Sequence, residues 1–93
     1  GHMVKVEVEV DTLDQLDELL SIGADAVLLD NMDAAMLRLA VAQVDGRMVT
    51  EASGGITPDN IEEIAATGVD LISLGWLTHS AKSPDVALDL ELL

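Results

Sequence analysis

The sequence contains no cysteine, phenylalanine or tyrosine, and one tryptophan is its only aromatic residue. The absence of cysteine excludes disulfides and thiolate chemistry, and it is compatible with a cytoplasmic origin. Hydrophobic residues nevertheless make up 49% of the chain, so valine, isoleucine, leucine, alanine and methionine must fill the core. An apolar fraction this high excludes a disordered chain.

Basic residues are also scarce, because 4 lysines and arginines stand against 18 acidic residues and give a net charge of −14. This charge opposes binding to nucleic acids and to anionic membranes, so we expect neither as a partner. It also opposes the capture of polyanionic substrates. A bound phosphate would need backbone N–H groups, a divalent cation, or basic residues that the chain does not contain.

No apolar run approaches the length of a membrane span and no segment resembles a signal peptide, so we expect a soluble protein. Residues 1–3, Gly-His-Met, resemble the scar of a cleaved expression tag, which removes His2 from the candidate ligands. Residues 4–93 are predicted to form a single domain. At this length roughly 60 to 65% of the unfolded chain's surface can be buried, enough for one core.

Strand patterns alternate with helix patterns along the chain. The first strand pattern is strictly alternating and places Lys5, Glu7 and Glu9 on one face. The second, Ala26-Val27-Leu28-Leu29, is continuously apolar, as in a strand covered on both faces. The four predicted strands cover residues 4–10, 26–29, 47–50 and 71–74.

Capping residues predict the helices between these strands. Thr12 and Gln15 form a capping box for the first helix. Thr57 is the predicted N-cap of the third, with Pro58 at its first position and its end near residue 67. Beyond the fourth strand, residues 77–80 could begin a short helix, and residues 86–93 alternate weakly like an edge strand.

The second helix, about residues 34–44 with Asp33 as its cap, is apolar nearly all round, with Arg38 and Gln43 as its clearly polar positions. Such a helix requires burial on more than one side. Either it is a core helix packed through small residues, or part of it faces a partner chain.

An internal repeat supports this order of elements. Five residues of the first half recur 45 positions later, which indicates two βαβα modules, although shared capping chemistry could produce some of the matches. The pairs are Thr12 and Thr57, Asp14 and Asp59, Glu18 and Glu63, Gly23 and Gly68, and Asp25 and Asp70.

Polar residues fall where the predicted strands end, and ligands of parallel sheets collect at that edge. Glu9, Asp30, Glu51 with Ser53, and Gly75 close the four strands. Two explanations remain open for Glu9 and Asp30: they could share Mg²⁺ or accept hydrogen bonds from sugar hydroxyls, or they are solvated acids.

The turn Ser53-Gly54-Gly55 connects the third strand to the third helix. Without a Cβ at either glycine, a phosphate could approach the exposed N–H groups and be favoured by the dipole of the third helix, or the glycines could serve only a tight turn. His79 could donate to a phosphate near the fourth strand or be merely exposed. Trp76 could stack on a ring or serve packing.

Five motifs in this order resemble the C-terminal part of the quinolinate phosphoribosyltransferase family, over essentially everything after residue 3. They are residues 6–11 (Val-Glu-Val-Glu-Val-Asp), 28–31 (Leu-Leu-Asp-Asn), 51–56 (Glu-Ala-Ser-Gly-Gly-Ile), 67–70 (Thr-Gly-Val-Asp) and 77–80 (Leu-Thr-His-Ser). The resemblance implies a cytoplasmic enzyme of NAD biosynthesis that converts quinolinate and phosphoribosyl pyrophosphate into nicotinate mononucleotide, pyrophosphate and CO₂ with Mg²⁺.

The resemblance also implies roles for individual residues. Glu9 and Asp30 match the acids that contact the ribose and the metal-bound pyrophosphate. The 5-phosphate is expected to be held by Ser53, Gly54, Gly75 and His79. Trp76 departs from the small residue expected after Gly75. The basic residues of the family's quinolinate pocket come from parts that this chain does not contain.

These observations predict an α/β fold, a (βα)₄ half of a (βα)₈ TIM barrel, with a flavodoxin-like open sheet as the alternative. A half barrel leaves two sheet edges uncovered, which pairing of two halves or flattening into the open sheet could repair. We expect the homo-oligomer, with two halves completing a barrel, because the second helix is apolar nearly all round. We expect an excised or engineered fragment that is inactive alone, needs no metal to fold, and retains phosphoribosyl or phosphate binding. The alternatives are a purely structural assembly module, or activity when a separate N-terminal chain supplies basic residues.

Overall fold

A computed structural model describes residues 5–83 and residue 86. Strands and helices alternate up to a final pair of strands that has no helix between its members. The elements are β1 (Glu7–Val10), α1 (Leu13–Ile22), β2 (Ala26–Asp30), α2 (Ala34–Val44), β3 (Val49–Ser53), α3 (Ile61–Ala65), β4 (Leu71–Leu74) and β5 (Leu77–Ser80).

The five strands form one sheet in sequential order, β1-β2-β3-β4-β5, with β1 to β4 parallel and β5 antiparallel to β4. A flavodoxin-like sheet would have the order 2-1-3-4-5. Sequential order with crossover helices is the order of a (βα)₈ barrel, so the fold is a half barrel and the flavodoxin-like alternative is not observed.

The two faces of the sheet carry different residues. One row across the strands, Val10, Leu29, Ala52 and Ile72, is almost wholly buried and packs in the core with the helices. The neighbouring row, Glu9, Leu28, Glu51 and Leu71, lies on the other face. We call this second face the open face; it corresponds to the interior of a complete barrel.

The predicted starts of α1 and α2 are confirmed. The Thr12 hydroxyl accepts the Gln15 N–H at 3.1 Å, and the Gln15 side chain accepts the Asp11 N–H at 2.8 Å. The Asp33 carboxylate accepts the Met36 N–H at 2.8 Å. The bonds from the Gln15 and Met36 N–H groups each satisfy one backbone donor that the first turn of a helix leaves unpaired, and the bond from Asp11 holds the residue before the N-cap.

On α2, four residues are buried, namely Ala34, Leu37, Ala40 and Val44. Met36 and Leu39 point outward, with Leu39 60% exposed. The helix therefore packs one apolar stripe and exposes another. Coverage of that second stripe by a partner chain, and with it the homo-oligomer, stays a prediction. No helix among residues 5–83 is long and apolar enough to cross a membrane.

At the internal repeat, Asp25 and Asp70 form the same kind of hydrogen-bonded contact to the neighbouring strand, which we call the aspartate clasp. The Asp25 carboxylate accepts the Val6 N–H at 2.7 Å, and the Asp70 carboxylate accepts the N–H and the hydroxyl of Thr50 at 2.8 and 3.1 Å. The N–H groups of both aspartates donate back to the carbonyls of the same two partners at 3.0 Å. Each aspartate thus sets the register of the strand that it precedes.

The third helix differs from its prediction. It begins at Ile61 rather than after Thr57 and ends at Ala65, and the N-cap position is Asn60. Residues 57–60 form turns instead.

Residues 77–80 form a strand, so the helix predicted there is wrong. Gly75 has φ +66° and Trp76 does not share this left-handed conformation. A positive φ at the first of two turn residues is the type II′ pattern, whose twist suits a hairpin. The turn therefore returns the chain antiparallel to β4. The predicted edge strand over 86–93 lies outside the described residues except for Val86, which is buried and helical.

We predict that Asp70→Ala lowers the free energy of unfolding by about 2 kcal/mol, because it removes hydrogen bonds to a charged group and leaves the Thr50 hydroxyl and N–H without that acceptor. Urea unfolding followed by circular dichroism measures the change. Asp17→Ala, on the exposed side of α1, is the control. Equal effects of the two substitutions would contradict the role of the aspartate clasp.

Candidate functional site

The ends of β2 and β3 meet at the carboxyl edge of the sheet. Asp30 pairs in register with Ser53, each being the last residue of its strand. The next residue, Asn31, continues the contact, because its N–H donates to the Ser53 carbonyl at 2.8 Å. Asn31 has φ +56°, a left-handed conformation that asparagine tolerates better than most residues. The two strand ends are therefore joined beyond the sheet itself.

Gly54 and Gly55 follow Ser53 with φ +82° and +68°. A Cβ on Gly54 would lie 3.0 Å from the Asp30 Oδ1 atom and 3.2 Å from the Asn31 nitrogen. Both the backbone conformation and the close approach of β2 therefore require glycine at position 54. The same geometry keeps the backbone of the turn accessible beside the Asp30 carboxylate.

A cavity of about 270 Å³ lies against this turn and is lined in part by Asn31, Gly54, Gly55, Asn60 and Glu63. The helix dipole does not serve an anion here, in contrast to the sequence prediction. The reason is that α3 starts six residues after Gly55 and is only five residues long. Backbone N–H groups and the Ser53 hydroxyl are the donors that this corner offers to an anion.

The loop beyond the glycines is braced by the Asn60 side chain. Its Nδ2 donates to the Gly55 carbonyl at 2.7 Å, and its Oδ1 accepts the Thr57 N–H at 2.8 Å. Asn60 occupies the N-cap position of α3 but makes no side-chain capping bond there. The amide therefore joins the loop after Gly55 to the segment that leads into α3.

Glu9 lies on the open face one strand away from Asp30. It pairs in register with Leu28, two residues before Asp30 on β2, so the two carboxylates share a face on adjacent strands. Two carboxylates fit Mg²⁺ that keeps waters and substrate phosphates as its other ligands. Among the described residues no group of three or more metal-binding side chains exists, and the Mg²⁺ role of Glu9 and Asp30 stays a prediction.

Glu51 is in the middle of β3 rather than at its end, and it is 9% exposed on the open face. Burial raises the pKa of its carboxyl, and the charge of Glu7 and a hydrogen bond between the two carboxyl groups raise that pKa further. The pair spans β2, whose Ala26 and Leu28 lie between them on the same face.

Gly75 and His79 occupy different places. Gly75 lies at the end of β4, at the carboxyl edge of the sheet, as the sequence predicted. His79 pairs in register with Ile72 on β5, so its side chain lies on the face opposite to Glu9 and Asp30. Trp76, at the tip of the hairpin, is 90% exposed. The structure thus groups Glu9, Asp30, Ser53 and Gly54 and does not bring His79 to them.

Asn31 and Asn60 hold the glycine turn, and the sequence analysis gave neither a role at the site. A signal was present for both. Asn31 directly follows a strand, at a position where left-handed backbone is common for asparagine. Asn60 follows a Thr-Pro-Asp run, in which an asparagine amide often closes a turn.

Comparison with known proteins agrees with this architecture. Residues 1–89 match the family model described as quinolinate phosphoribosyl transferase, C-terminal domain. The chain belongs to the quinolinate phosphoribosyltransferase family. The resemblance inferred from the five sequence motifs is thereby confirmed.

Curated members of this family are similar over nearly the whole chain. A probable nicotinate-nucleotide pyrophosphorylase [carboxylating] of Bacillus subtilis is 45% identical over 99% of this chain and 32% of its own length. A protein with the same name from Methanothermobacter thermautotrophicus is 45% identical over 94% of this chain and 33% of its own. The chain therefore spans about a third of the length of these relatives.

Solved structures of the family share the fold. The nicotinate-nucleotide pyrophosphorylase of Francisella tularensis matches with a TM-score of 0.71 and 44% identity, over 75% of this chain and 25% of that one. The protein of the same name from Ehrlichia chaffeensis matches with a TM-score of 0.72 and 42% identity, over 74% and 25% of the respective chains.

The raised pKa of Glu51 predicts a pH dependence of stability. A carboxyl whose pKa is higher in the folded than in the unfolded protein stabilises the fold below its unfolded pKa. That stability is lost as the pH rises through the folded pKa. We expect Glu51→Gln to be more favourable relative to the parent chain at pH 7 than at pH 4, as measured by urea unfolding at both values.

Two controls accompany this measurement. Glu7→Gln should reduce the pH dependence in the parent Glu51 background, since it removes one cause of the raised pKa. Glu62→Gln, on the exposed side of α3, should leave it unchanged. A difference between Glu51→Gln and the parent that does not vary with pH would contradict the raised pKa of Glu51.

Proposed function

We propose that this chain is the phosphoribosyl-binding part of a quinolinate phosphoribosyltransferase and is inactive without the rest of the protein. The reaction of the complete enzyme would convert quinolinate and phosphoribosyl pyrophosphate into nicotinate mononucleotide, pyrophosphate and CO₂, with Mg²⁺. The observation that carries the proposal is the joined end of β2 and β3. There the Asp30 carboxylate lies beside the open backbone of Gly54.

The donors at this corner suit a phosphate monoester. Two consecutive glycines with positive φ expose backbone between strand and helix, and Ser53 adds a hydroxyl. Peptide N–H groups in such a turn bind oxyanions without a formal charge. Glu9 and Asp30, on the same edge, are suited to ribose hydroxyls or to Mg²⁺ that bridges to the pyrophosphate.

The basic residues explain why catalysis needs more than this chain. Lys5 precedes β1, and Lys82 follows β5, whose end pairs with the start of β4. Both therefore lie towards the amino edge of the sheet. Arg38 is exposed on α2, and the Arg47 guanidinium donates to the carbonyls of Gln43 and Val44 at the end of that helix. None of the four cations serves the carboxyl edge, where two polyanionic substrates would have to bind beside carboxylates.

Isothermal titration with phosphoribosyl pyrophosphate and Mg²⁺ tests the binding site. We expect binding by the parent chain and at least a tenfold loss in a Ser53→Ala, Gly54→Ala variant, because the added methyl group meets Asp30 and Asn31. Inorganic phosphate should compete. Gly46→Ala is the matched control, since Gly46 also has a positive φ, +77°, but a Cβ there meets nothing within 4 Å.

The outcomes separate two functions. Binding that survives in Gly46→Ala and is lost in the double variant supports the proposed site. Absence of heat and of competition at millimolar ligand would refute it. The chain would then be a folding and assembly module, the second candidate, which the uncovered open face favours.

An activity assay tests the dependence on the rest of the protein. We expect no nicotinate mononucleotide from quinolinate and phosphoribosyl pyrophosphate with this chain alone, because it lacks cations at the carboxyl edge. Product should form when the preceding two thirds of the Bacillus subtilis relative are added as a separate chain. Glu9→Gln in the mixture is the control for contribution by this chain. Turnover by the chain alone would contradict the proposal.

A further inference from the structure

We propose that Asn60 is a positioning residue for the anion-binding turn, and that it holds the Gly55 carbonyl away from the bound phosphate. This inference rests on the proposed function and adds a residue to it. Asn60 is at the N-cap position of α3, yet its side chain makes no bond to the first turn of that helix.

Both the nitrogen and the oxygen of the Asn60 amide bond to the loop. Its nitrogen donates to the Gly55 carbonyl at 2.7 Å and its oxygen accepts the Thr57 N–H at 2.8 Å. The backbone closes the same turn, since the N–H groups of Asn60 and Ile61 donate to the Thr57 carbonyl at 3.2 and 3.0 Å. The amide presents a donor and an acceptor on two atoms bonded to the same carbon, which a single hydroxyl group does not.

The bond from Asn60 to the Gly55 carbonyl fixes the orientation of a peptide group that glycine leaves free to rotate. A peptide group after glycine can rotate between two orientations at low cost, since no Cβ opposes either one. One orientation would turn the Gly55 carbonyl towards an anion, and the other turns it away. The peptide is planar and trans, so a carbonyl held by Asn60 directs the Ile56 N–H to the opposite side. Asn60 thereby selects the orientation that presents a donor.

Asn31 holds the other side of the same turn through its bond to the Ser53 carbonyl at 2.8 Å. The backbone from Ser53 to Gly55 is therefore fixed at both ends, once by a backbone N–H and once by a side chain. The side-chain contact is the one that a substitution can remove. Both asparagines line the cavity against the turn.

Asn60→Ser separates positioning from helix capping. Serine is about as good an N-cap as asparagine, but its single hydroxyl lacks the two-atom fork that spans Gly55 and Thr57. We expect Asn60→Ser to bind phosphoribosyl pyrophosphate with Mg²⁺ about tenfold more weakly than the parent chain, the loss expected for one hydrogen bond. Its urea unfolding midpoint should stay near that of the parent. Asn60→Ala should show the same loss of affinity and an additional loss of stability.

A measurement without ligand tests the contact itself. Amide hydrogen exchange in the ligand-free protein should be about tenfold faster at Thr57 in Asn60→Ser, while the Ile64 amide, which bonds to the Asn60 carbonyl, keeps its parent rate. Slower or unchanged exchange at Thr57 would overturn the proposal. An Asn60→Ser variant that binds phosphoribosyl pyrophosphate as tightly as the parent chain would also overturn the proposal.

Negative results of the binding and exchange measurements bear on different claims, namely the proposed function and the positioning role of Asn60. A parent chain that binds no phosphoribosyl pyrophosphate refutes the proposed function and, with it, the role of Asn60 towards an anion. The exchange rates then still decide whether Asn60 fixes the loop. A parent chain that binds, with an Asn60→Ser variant that binds equally well, refutes only the positioning role.

Discussion

The junction between the ends of β2 and β3 is the constraint on which the site depends. Register places Asp30 beside Ser53, and Asn31 donates to the Ser53 carbonyl one residue beyond the sheet. This leaves no space for a side chain at Gly54. The glycine turn is accessible because two strands are joined tightly next to it. Close packing and ligand access thus have the same cause.

Charge divides the sheet into regions with different roles. The open face carries Glu7, Glu9 and the buried Glu51, and its one basic neighbour, Lys5, lies at the amino edge before β1. Burial raises the pKa of the Glu51 carboxyl, and the charge of Glu7 raises it further. A site with this balance favours cations and hydroxyl groups. Anions can bind there only through backbone donors or bridging metal.

Local signals were sufficient where a side chain acts on its own segment. Thr12 and Asp33 cap their helices as predicted, and Gly23 ends α1. The order of strands followed from the alternation of patterns. The failures occur where one side chain has two possible partners. Asn60 is at the N-cap position of α3, but its side chain bonds to the Gly55 carbonyl and to the Thr57 N–H instead. His79 likewise depended on a turn, because Gly75 reverses the chain and places His79 on the helix-packed face.

The hairpin at the end of the sheet also determines how a barrel could be completed. In a closed barrel every strand pairs on both sides with parallel neighbours, yet here the free side of β4 is paired with antiparallel β5 through four residue pairs. Any strand joining at that position must first displace β5. Among residues 5–83, no strand pairs with the opposite edge of the sheet, β1. The two edges would therefore differ in a barrel assembled from two halves, because only pairing at β4 would require β5 to leave.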